Sequence, residues 1–166
     1  GGTDYTYTDP TTVTIPAGDY TTPQTITVGL TLVDDNLLEG DETIDFALQN
    51  PSSNVTVGAQ STNTFTITDD ETASVEFSAT TSNTGGDEDG SVTVSGELTL
   101  TATTGTPAIA TGETITVQAA YNGGSTATNG LGEDINFTSP ETLTFTDSDA
   151  SGALKNLTFT LTDDLD

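Results

Sequence analysis

Threonine alternates with apolar residues along most of this chain, and this pattern restricts the chain to β structure. Threonine makes up roughly a quarter of the sequence, and its β-branched side chain packs well on the pleated surface of a strand. Alternation with a period of two residues gives a strand one buried face and one solvated face. The segments that we predict to be strands are Val13–Ile15, Thr25–Val28, Leu30–Leu32, Thr43–Leu48, Thr64–Thr68, Ala73–Phe77, Ser91–Val94, Glu97–Leu100, Thr114–Val117, Thr142–Phe145 and Leu157–Leu161.

Turn-forming residues separate these segments. They occur at Pro16–Asp19, Asn50–Ser52, Thr84–Gly86 and Asn122–Gly124. Short strands with turns between them are typical of antiparallel sandwiches, whereas βαβ units require a helical period that this sequence does not show. We therefore predict an all-β antiparallel fold.

The composition excludes several classes of chemistry. The chain has 26 acidic residues and one basic residue, Lys155, which gives a formal net charge of −25. It has neither cysteine nor histidine, so it cannot form a disulfide, a thiolate zinc site, a Ser-His-Asp triad or an imidazole metal site. Such an acidic surface repels nucleic acid, and the apolar stretches are far shorter than the roughly 20 residues that span a bilayer. We expect no nucleic-acid partner and no membrane insertion, and we expect cations to be attracted.

An internal repeat indicates tandem domains. The block Gly2–Ile15 recurs as Gly132–Phe145, and Leu30–Asp35 recurs as Phe159–Asp164. Both copies keep an acidic residue near the start, a proline in the middle and a double Asp at the end. A match at so long a separation, about 130 residues, is typical of repeated domains rather than of one domain.

The repeat predicts a domain boundary after residue 71. We interpret residues 1–71 as the C-terminal part of a first domain and residues 72–166 as a second domain that lacks its last strands. Half of a sandwich exposes unpaired strand edges, so we expect the missing strands to come from a longer chain or from another chain.

The segment Val33–Pro51 closely resembles the signature of Calx-β domains, and Thr66–Glu71 is similar to the closing strand of that family, which ends in a double acid. The resemblance is weaker in the second half, where Val75, Phe77 and the acidic turn at 87–90 match. It implies tandem immunoglobulin-like Greek-key sandwiches, both truncated in this fragment. It also implies a Ca²⁺ site at one end of each sandwich, near the junction with the next domain.

Acidic residues cluster at the predicted strand ends, and this clustering also favours a cation site. Ca²⁺ takes roughly six to eight oxygen ligands, and carboxylates a few ångströms apart repel each other unless a cation lies between them. The candidate ligands of a first site are Asp4, Asp34, Asp35, Glu39, Glu42, Asp69, Asp70 and Glu71. Those of a second site are Glu88, Asp134, Asp163, Asp164 and Asp166, where Glu88 matches an acid that the first loop supplies in the Calx-β family.

These acids have simpler interpretations as well. A double Asp at a strand end can be a solvated turn, and acidic residues keep repeat proteins soluble. An EF-hand does not fit, because its characteristic loop is missing. A glycosidase could use two of the carboxylates, but no aromatic-lined cleft is evident from the sequence.

Together these observations predict a non-enzymatic, calcium-binding structural spacer of a large secreted adhesin on the bacterial cell surface. Its partners would be neighbouring repeats of the same chain, and surface polysaccharide or other cell-surface proteins. The cysteine-free style, rich in Thr, Asp and Gly, resembles giant surface adhesins of Bacteroidota, including the gliding-motility adhesin exported by type IX secretion. The alternatives are a carbohydrate- or ice-binding module, and a non-catalytic appendage of a secreted hydrolase.

Overall fold

The structure is a computed structural model, and the residues that it describes form strands and turns but no helix. The predicted all-β class is therefore confirmed. None of these residues belongs to a helix long and apolar enough to cross a membrane. The described residues are 3–7, 12–25, 27, 29–79, 87–88 and 90–163.

The strands of the described residues are numbered in chain order. They are β1 (Tyr5–Thr6), β2 (Thr31–Leu32), β3 (Leu37–Leu38), β4 (Glu42–Ala47), β5 (Thr62–Ile67), β6 (Thr72–Phe77), β7 (Ser91–Thr101), β8 (Ala108–Ile109), β9 (Thr114–Ala119), β10 (Ile135–Asn136), β11 (Glu141–Thr146) and β12 (Leu154–Leu161).

The chain divides into two compact units, Gly1–Asp35 and Asn36–Asp166. In the first unit, β1 and β2 pair antiparallel with Tyr5 opposite Leu32. The predicted strand at Val13–Ile15 is not a strand in the structure. In the predicted strand Thr25–Val28, positions 26 and 28 lie outside the described residues.

The second unit contains a four-stranded antiparallel sheet in the order β10-β12-β7-β6. Strands β11 and β9 form a separate antiparallel pair, and β4 and β5 form an antiparallel hairpin. Strands β3 and β8 are short and parallel, with Leu37 opposite Ala108 and Leu38 opposite Ile109.

One apolar core joins the four-stranded sheet to the β11–β9 pair. The alternation of β7 places Leu98 and Leu100 in this core, and β11 contributes Leu143 and Phe145. Leu98 and Phe145 are fully buried. The partly buried residues of β9 and Leu38 of β3 pack against the same core.

The second compact unit extends across the predicted domain boundary. Residues 36–71 belong to the same unit as residues 72–166, because β3 pairs with β8 and Leu38 packs against the core. The domain boundary after residue 71 stays a prediction, because it is derived from the sequence repeat. The compact units are defined by contacts in the folded chain and do not test it.

Candidate metal centre

The parallel pairing of β3 with β8 brings two acidic segments to one end of the second unit. The N–H of Ala108 donates to the Asn36 carbonyl at 3.1 Å, and the N–H of Ala110 donates to the Leu38 carbonyl at 3.1 Å. Because the two strands run in the same direction, the residues that follow them leave the ladder at the same end. These residues are the loop 39–41 and the turn 110–113.

Asp69 fixes the loop that follows β3. Its Oδ2 accepts the N–H of Glu39 at 2.9 Å and the N–H of Gly40 at 2.7 Å, and its Oδ1 accepts the N–H of Glu71 at 3.0 Å. Its own N–H donates to Oδ1 of Asp41 at 3.1 Å. Gly40 has a φ of 85°, which only glycine adopts readily, so the loop can turn both N–H groups towards one carboxylate.

These hydrogen bonds stabilise the ionised form of Asp69. Partial burial raises the pKa of this carboxyl, but the N–H groups of Gly40, Glu39 and Glu71 lower it more, so the pKa lies below its usual value of 3.8. These hydrogen bonds therefore favour an ionised, negatively charged Asp69 in the folded chain.

Glu71 is the most deeply buried acid among the predicted ligands that the structure describes. Its side chain is 8% exposed, and its Oε1 atom is buried without a hydrogen-bond partner among the described residues. Burial, the hydrogen bond with Asp69 and the charges of Asp70 and Asp69 raise the pKa of Glu71 to about 7. A carboxylate in such a position is costly unless a positive charge or a proton compensates it.

A cavity of about 400 Å³ opens beside Glu71. Leu38, Ile109 and Ile115 contribute its apolar wall. Its acidic lining residues are Glu39, Asp41, Asp69, Glu71 and Glu113. Since all the ionisable groups of the described lining are carboxylates, the cavity concentrates negative charge next to a buried and unpartnered oxygen.

Two of these lining acids, Asp41 and Glu113, are missing from the predicted ligand set. Asp41 lies between Glu39 and Glu42, so the acidic run could have revealed it. Glu113 has no such signal, because it is a single acid before the strand β9 and belongs to no acidic run. Tertiary contacts, among them the pairing of β3 with β8, bring Glu113 to the cavity.

The other predicted ligands of the first site have different surroundings. In the first unit, the N–H of Val33 donates to the Asp4 carbonyl at 2.8 Å, and carboxylate oxygens of Asp4 and Asp35 lie within 4.8 Å of each other. Asp34, in the same unit, is exposed.

In the second unit, Glu42 is exposed at the start of β4 and is not among the residues that line the cavity. Asp70 is also exposed and accepts the hydroxyl of Thr103 at 2.7 Å, while one of its carboxylate oxygens lies within 4.8 Å of one from Glu71.

The predicted second site is only partly described. Backbone hydrogen bonds bring Asp134 next to Thr162 and Gly90 next to Leu161, so Glu88, Asp134 and Asp163 lie near one end of the four-stranded sheet. The Asp134 carboxylate accepts the N–H of Thr128 at 2.6 Å. No three carboxylates of the described residues at this end come within 4.8 Å of one another. The remaining predicted ligands, Asp164 and Asp166, lie outside the described residues.

A second cavity, of about 310 Å³, has a different character. Phe77, Phe137 and Phe159 contribute to its lining, and Tyr121 supplies the only polar side-chain atom of the described lining residues. The Tyr121 hydroxyl already donates to the Ala127 carbonyl. Sugar recognition needs several convergent polar groups, so this cavity does not favour the carbohydrate-binding alternative.

The charged groups beside Glu71 are of the kind that a hard divalent cation prefers, but no three carboxylates of the described lining residues come within 4.8 Å of one another. The charged side chains of the cavity lining are all carboxylates, which Ca²⁺ and Mg²⁺ prefer, and Thr114 adds a hydroxyl. The described lining offers neither the imidazole nor the thiolate ligands typical of zinc and copper sites. Hydrogen bonds favour the ionised form of Asp69. Glu71 has a buried oxygen that lacks a hydrogen-bond partner among the described residues.

No protein-family model, curated protein or solved structure was found to match this chain.

Proposed function

We propose that this chain is a calcium-stabilised spacer of a large bacterial surface adhesin, and that it is not an enzyme. The observation that carries the proposal is the buried Oε1 of Glu71, which has no hydrogen-bond partner among the described residues and belongs to a residue that lines a cavity rich in carboxylates. Such an oxygen costs stability in the absence of a ligand and contributes stability when a cation satisfies it.

The proposed architecture is a tandem array of immunoglobulin-like sandwiches of the Calx-β type. The sheet order β10-β12-β7-β6 and the common core with β11 and β9 support it, since non-consecutive strands pair in Greek-key folds. The resemblance of residues 33–51 and 66–71 to the Calx-β signature gives further support.

Asp70 and Glu71, whose carboxylate oxygens lie within 4.8 Å of each other, would contribute to holding the cation. When bound, a divalent cation supplies positive charge to a cluster of carboxylates that otherwise repel each other. Asp69 would add negative charge beside them while it holds the loop after β3 in place. Because only the folded chain presents these groups together, ligand binding raises the free energy of unfolding as the ligand concentration exceeds Kd.

A row of such domains would form an extended, rigid stalk outside the cell. Neighbouring repeats would be its first partners, and a distal tip would contact surface polysaccharide or another cell-surface protein during attachment or gliding. The high negative charge supports this role, since it keeps adjacent stalks apart and soluble.

Thermal unfolding of the 166-residue chain tests the calcium part of this proposal. We expect Tm to rise by several degrees in millimolar Ca²⁺ relative to EDTA, and much less in Mg²⁺, which demands a stricter octahedral geometry. Glu71→Gln should abolish the rise, whereas Glu141→Gln, at the far end of the β11–β9 pair, should leave it intact. Identical Tm values in the three buffers would contradict the proposal.

A further inference from the structure

Two Asn-Gly pairs occur in the chain, Asn122-Gly123 and Asn129-Gly130. In such a pair the glycine nitrogen can attack the side-chain amide carbon of the asparagine, because glycine has no Cβ atom to hinder the approach. The asparagine then loses ammonia and becomes aspartate or isoaspartate. Both pairs lie in the connection between β9 and β10, so the effect of their different surroundings can be compared directly.

The first pair is exposed and arranged for this reaction. Oδ1 of Asn122 accepts the N–H of Gly124 at 3.2 Å, and this hydrogen bond closes a ring that contains Gly123. The Asn122 side chain is thereby folded towards the Gly123 nitrogen, as in an Asx turn. The N–H of Gly123 makes no hydrogen bond among the described residues, so the nitrogen has no partner to give up when it attacks.

The hydrogen bond from Gly124 also favours the chemistry. A donor at Oδ1 withdraws electron density from the amide carbon and stabilises the negative charge that develops on this oxygen when the nitrogen adds. The turn that holds Gly124 in place is closed by the N–H of Ser125, which donates to the Asn122 carbonyl at 3.0 Å. The same turn therefore supplies both the nucleophile and the hydrogen-bond donor.

The second pair has the same sequence in a protected arrangement. Nδ2 of Asn129 donates to the Phe137 carbonyl at 3.0 Å, and its Oδ1 accepts the Phe137 N–H at 2.9 Å. The N–H of Gly130 donates to the Ile135 carbonyl at 3.0 Å. Attack at Asn129, which is partly buried, would require these three hydrogen bonds to break.

We propose that Asn122 is a site of selective, non-enzymatic deamidation, and that Asn129 is spared while the chain is folded. The Gly123 nitrogen forms a bond to Cγ of Asn122, its proton passes through solvent to the leaving Nδ2, and ammonia departs from a cyclic imide. Water then adds to one of the two imide carbonyls and breaks its C–N bond, with no change in oxidation state. The product adds one carboxylate to a chain with a formal net charge of −25. This inference does not depend on the proposed cation site.

Isoaspartate formation would also disrupt the turn. The Asn122 carbonyl accepts the Ser125 N–H at 3.0 Å and the Ser125 hydroxyl at 2.8 Å. In isoaspartate the main chain runs through the former side chain and is longer by one methylene group, so this carbonyl no longer lies in the main chain of the turn. Deamidation at Asn122 would therefore change the backbone of an exposed connection as well as its charge.

Peptide mapping by mass spectrometry tests the proposal, after incubation of the chain at mildly alkaline pH in buffer and in urea. In buffer we expect Asn122 to be converted to a mixture of aspartate and isoaspartate while Asn129 stays intact. In urea both residues should be converted at similar rates, because the hydrogen bonds that protect Asn129 are then absent. Equal conversion of the two residues in buffer, or protection of both, would overturn the proposal.

Gly123→Ala is the matched variant for the nucleophile. A Cβ atom at position 123 meets no described atom within 4 Å beyond its chain neighbours, so the fold has room for it. The same Cβ hinders the approach of the nitrogen to the amide carbon, and the variant should lose most of the conversion at Asn122 in buffer. Conversion at an unchanged rate would overturn the role of the Gly123 nitrogen.

Discussion

The Asp69 carboxylate accepts the backbone N–H of Gly40 at 2.7 Å, across 29 positions of sequence. A side chain that the sequence marks as a metal ligand is therefore also a structural acceptor that holds the loop after β3. The two roles are compatible, because a carboxylate has two oxygens with about four acceptor positions.

Replacing Asp69 should destabilise the protein even without metal. The pKa of Asp69 is lowered in the folded state, which means that the folded chain favours the ionised form. We expect Asp69→Asn to reduce the free energy of unfolding by about 1–3 kcal/mol, because an amide cannot accept from all three N–H groups. Urea unfolding in EDTA measures this.

Asp41→Asn is the matched control for Asp69→Asn. Asp41 uses only Oδ1 to accept the N–H of Asp69, and an asparagine retains that acceptor. Equal urea midpoints for the two variants would contradict the structural role of Asp69.

Replacing Glu71 should have the opposite effect on the metal-free protein. At pH 8 the Glu71 carboxyl, with a pKa of about 7, is mostly ionised while it is buried beside Asp69 and Asp70. We expect Glu71→Gln to raise the free energy of unfolding in EDTA by roughly 1–3 kcal/mol, because the amide carries no buried charge. Urea unfolding at pH 8, with Glu141→Gln for comparison, tests this, and a decrease in stability would refute it.

Gly96 should not tolerate a side chain. A Cβ atom at this position of β7 would lie 2.5 Å from Cδ1 of Leu143 and 3.3 Å from Cγ1 of Val75. Leu143 is 5% exposed and belongs to the core, so it cannot move without disturbing the packing. We expect Gly96→Ala to cost about 1–3 kcal/mol of stability, measured by urea unfolding.

Gly123→Ala is the control for this substitution, because a Cβ at Gly123 meets no atom within 4 Å. Shortening the opposing side chain should also rescue part of the loss, so Gly96→Ala combined with Leu143→Val should be more stable than the sum of the single variants predicts. Strict additivity would show that the contact between Gly96 and Leu143 is not the cause.

The only basic residue of the chain should influence its acid stability. Lys155 Nζ lies 2.9 Å from Oδ1 and 2.8 Å from Oδ2 of Asp149. The hydrogen bond from Lys155, together with the N–H of Thr146, lowers the pKa of Asp149 below 3.8. The ion pair between Lys155 and Asp149 therefore adds to the free energy of unfolding above pH 3.8. This stabilisation is lost as the pH falls through the lower pKa that Asp149 has in the folded state.

Lys155→Met should remove this contribution. The stability difference between the parent and the variant should be largest near neutral pH and should shrink below pH 3.8, whereas Lys155→Arg should resemble the parent. Urea midpoints between neutral and acidic pH measure this, and a difference that does not change with pH would contradict the ion pair as its source.

Local alternation predicts most strands of the second unit. Thr114–Val117 and Thr142–Phe145 lie within β9 and β11, since a period of two is a local property. Ser91–Val94 and Glu97–Leu100 are predicted as two strands but form the single strand β7, because β12 pairs with residues 91–97 and β6 pairs with residues 96–101, which leaves no gap in the hydrogen-bonded ladder. Val13–Ile15 has the pattern but no strand, because a strand also needs a partner.

The three consecutive acids Asp69, Asp70 and Glu71 show which properties follow from the local sequence and which depend on tertiary contacts. Their position after an alternating segment already identifies a strand end with a high negative charge. Their individual roles depend on distant residues: Gly40 donates to the first, Thr103 donates to the second, and the third lies in the cavity that Glu113 also lines. Burial and hydrogen bonding belong to the packed chain, so tertiary contacts determine which of these carboxylates is left with an oxygen that has no hydrogen-bond partner among the described residues.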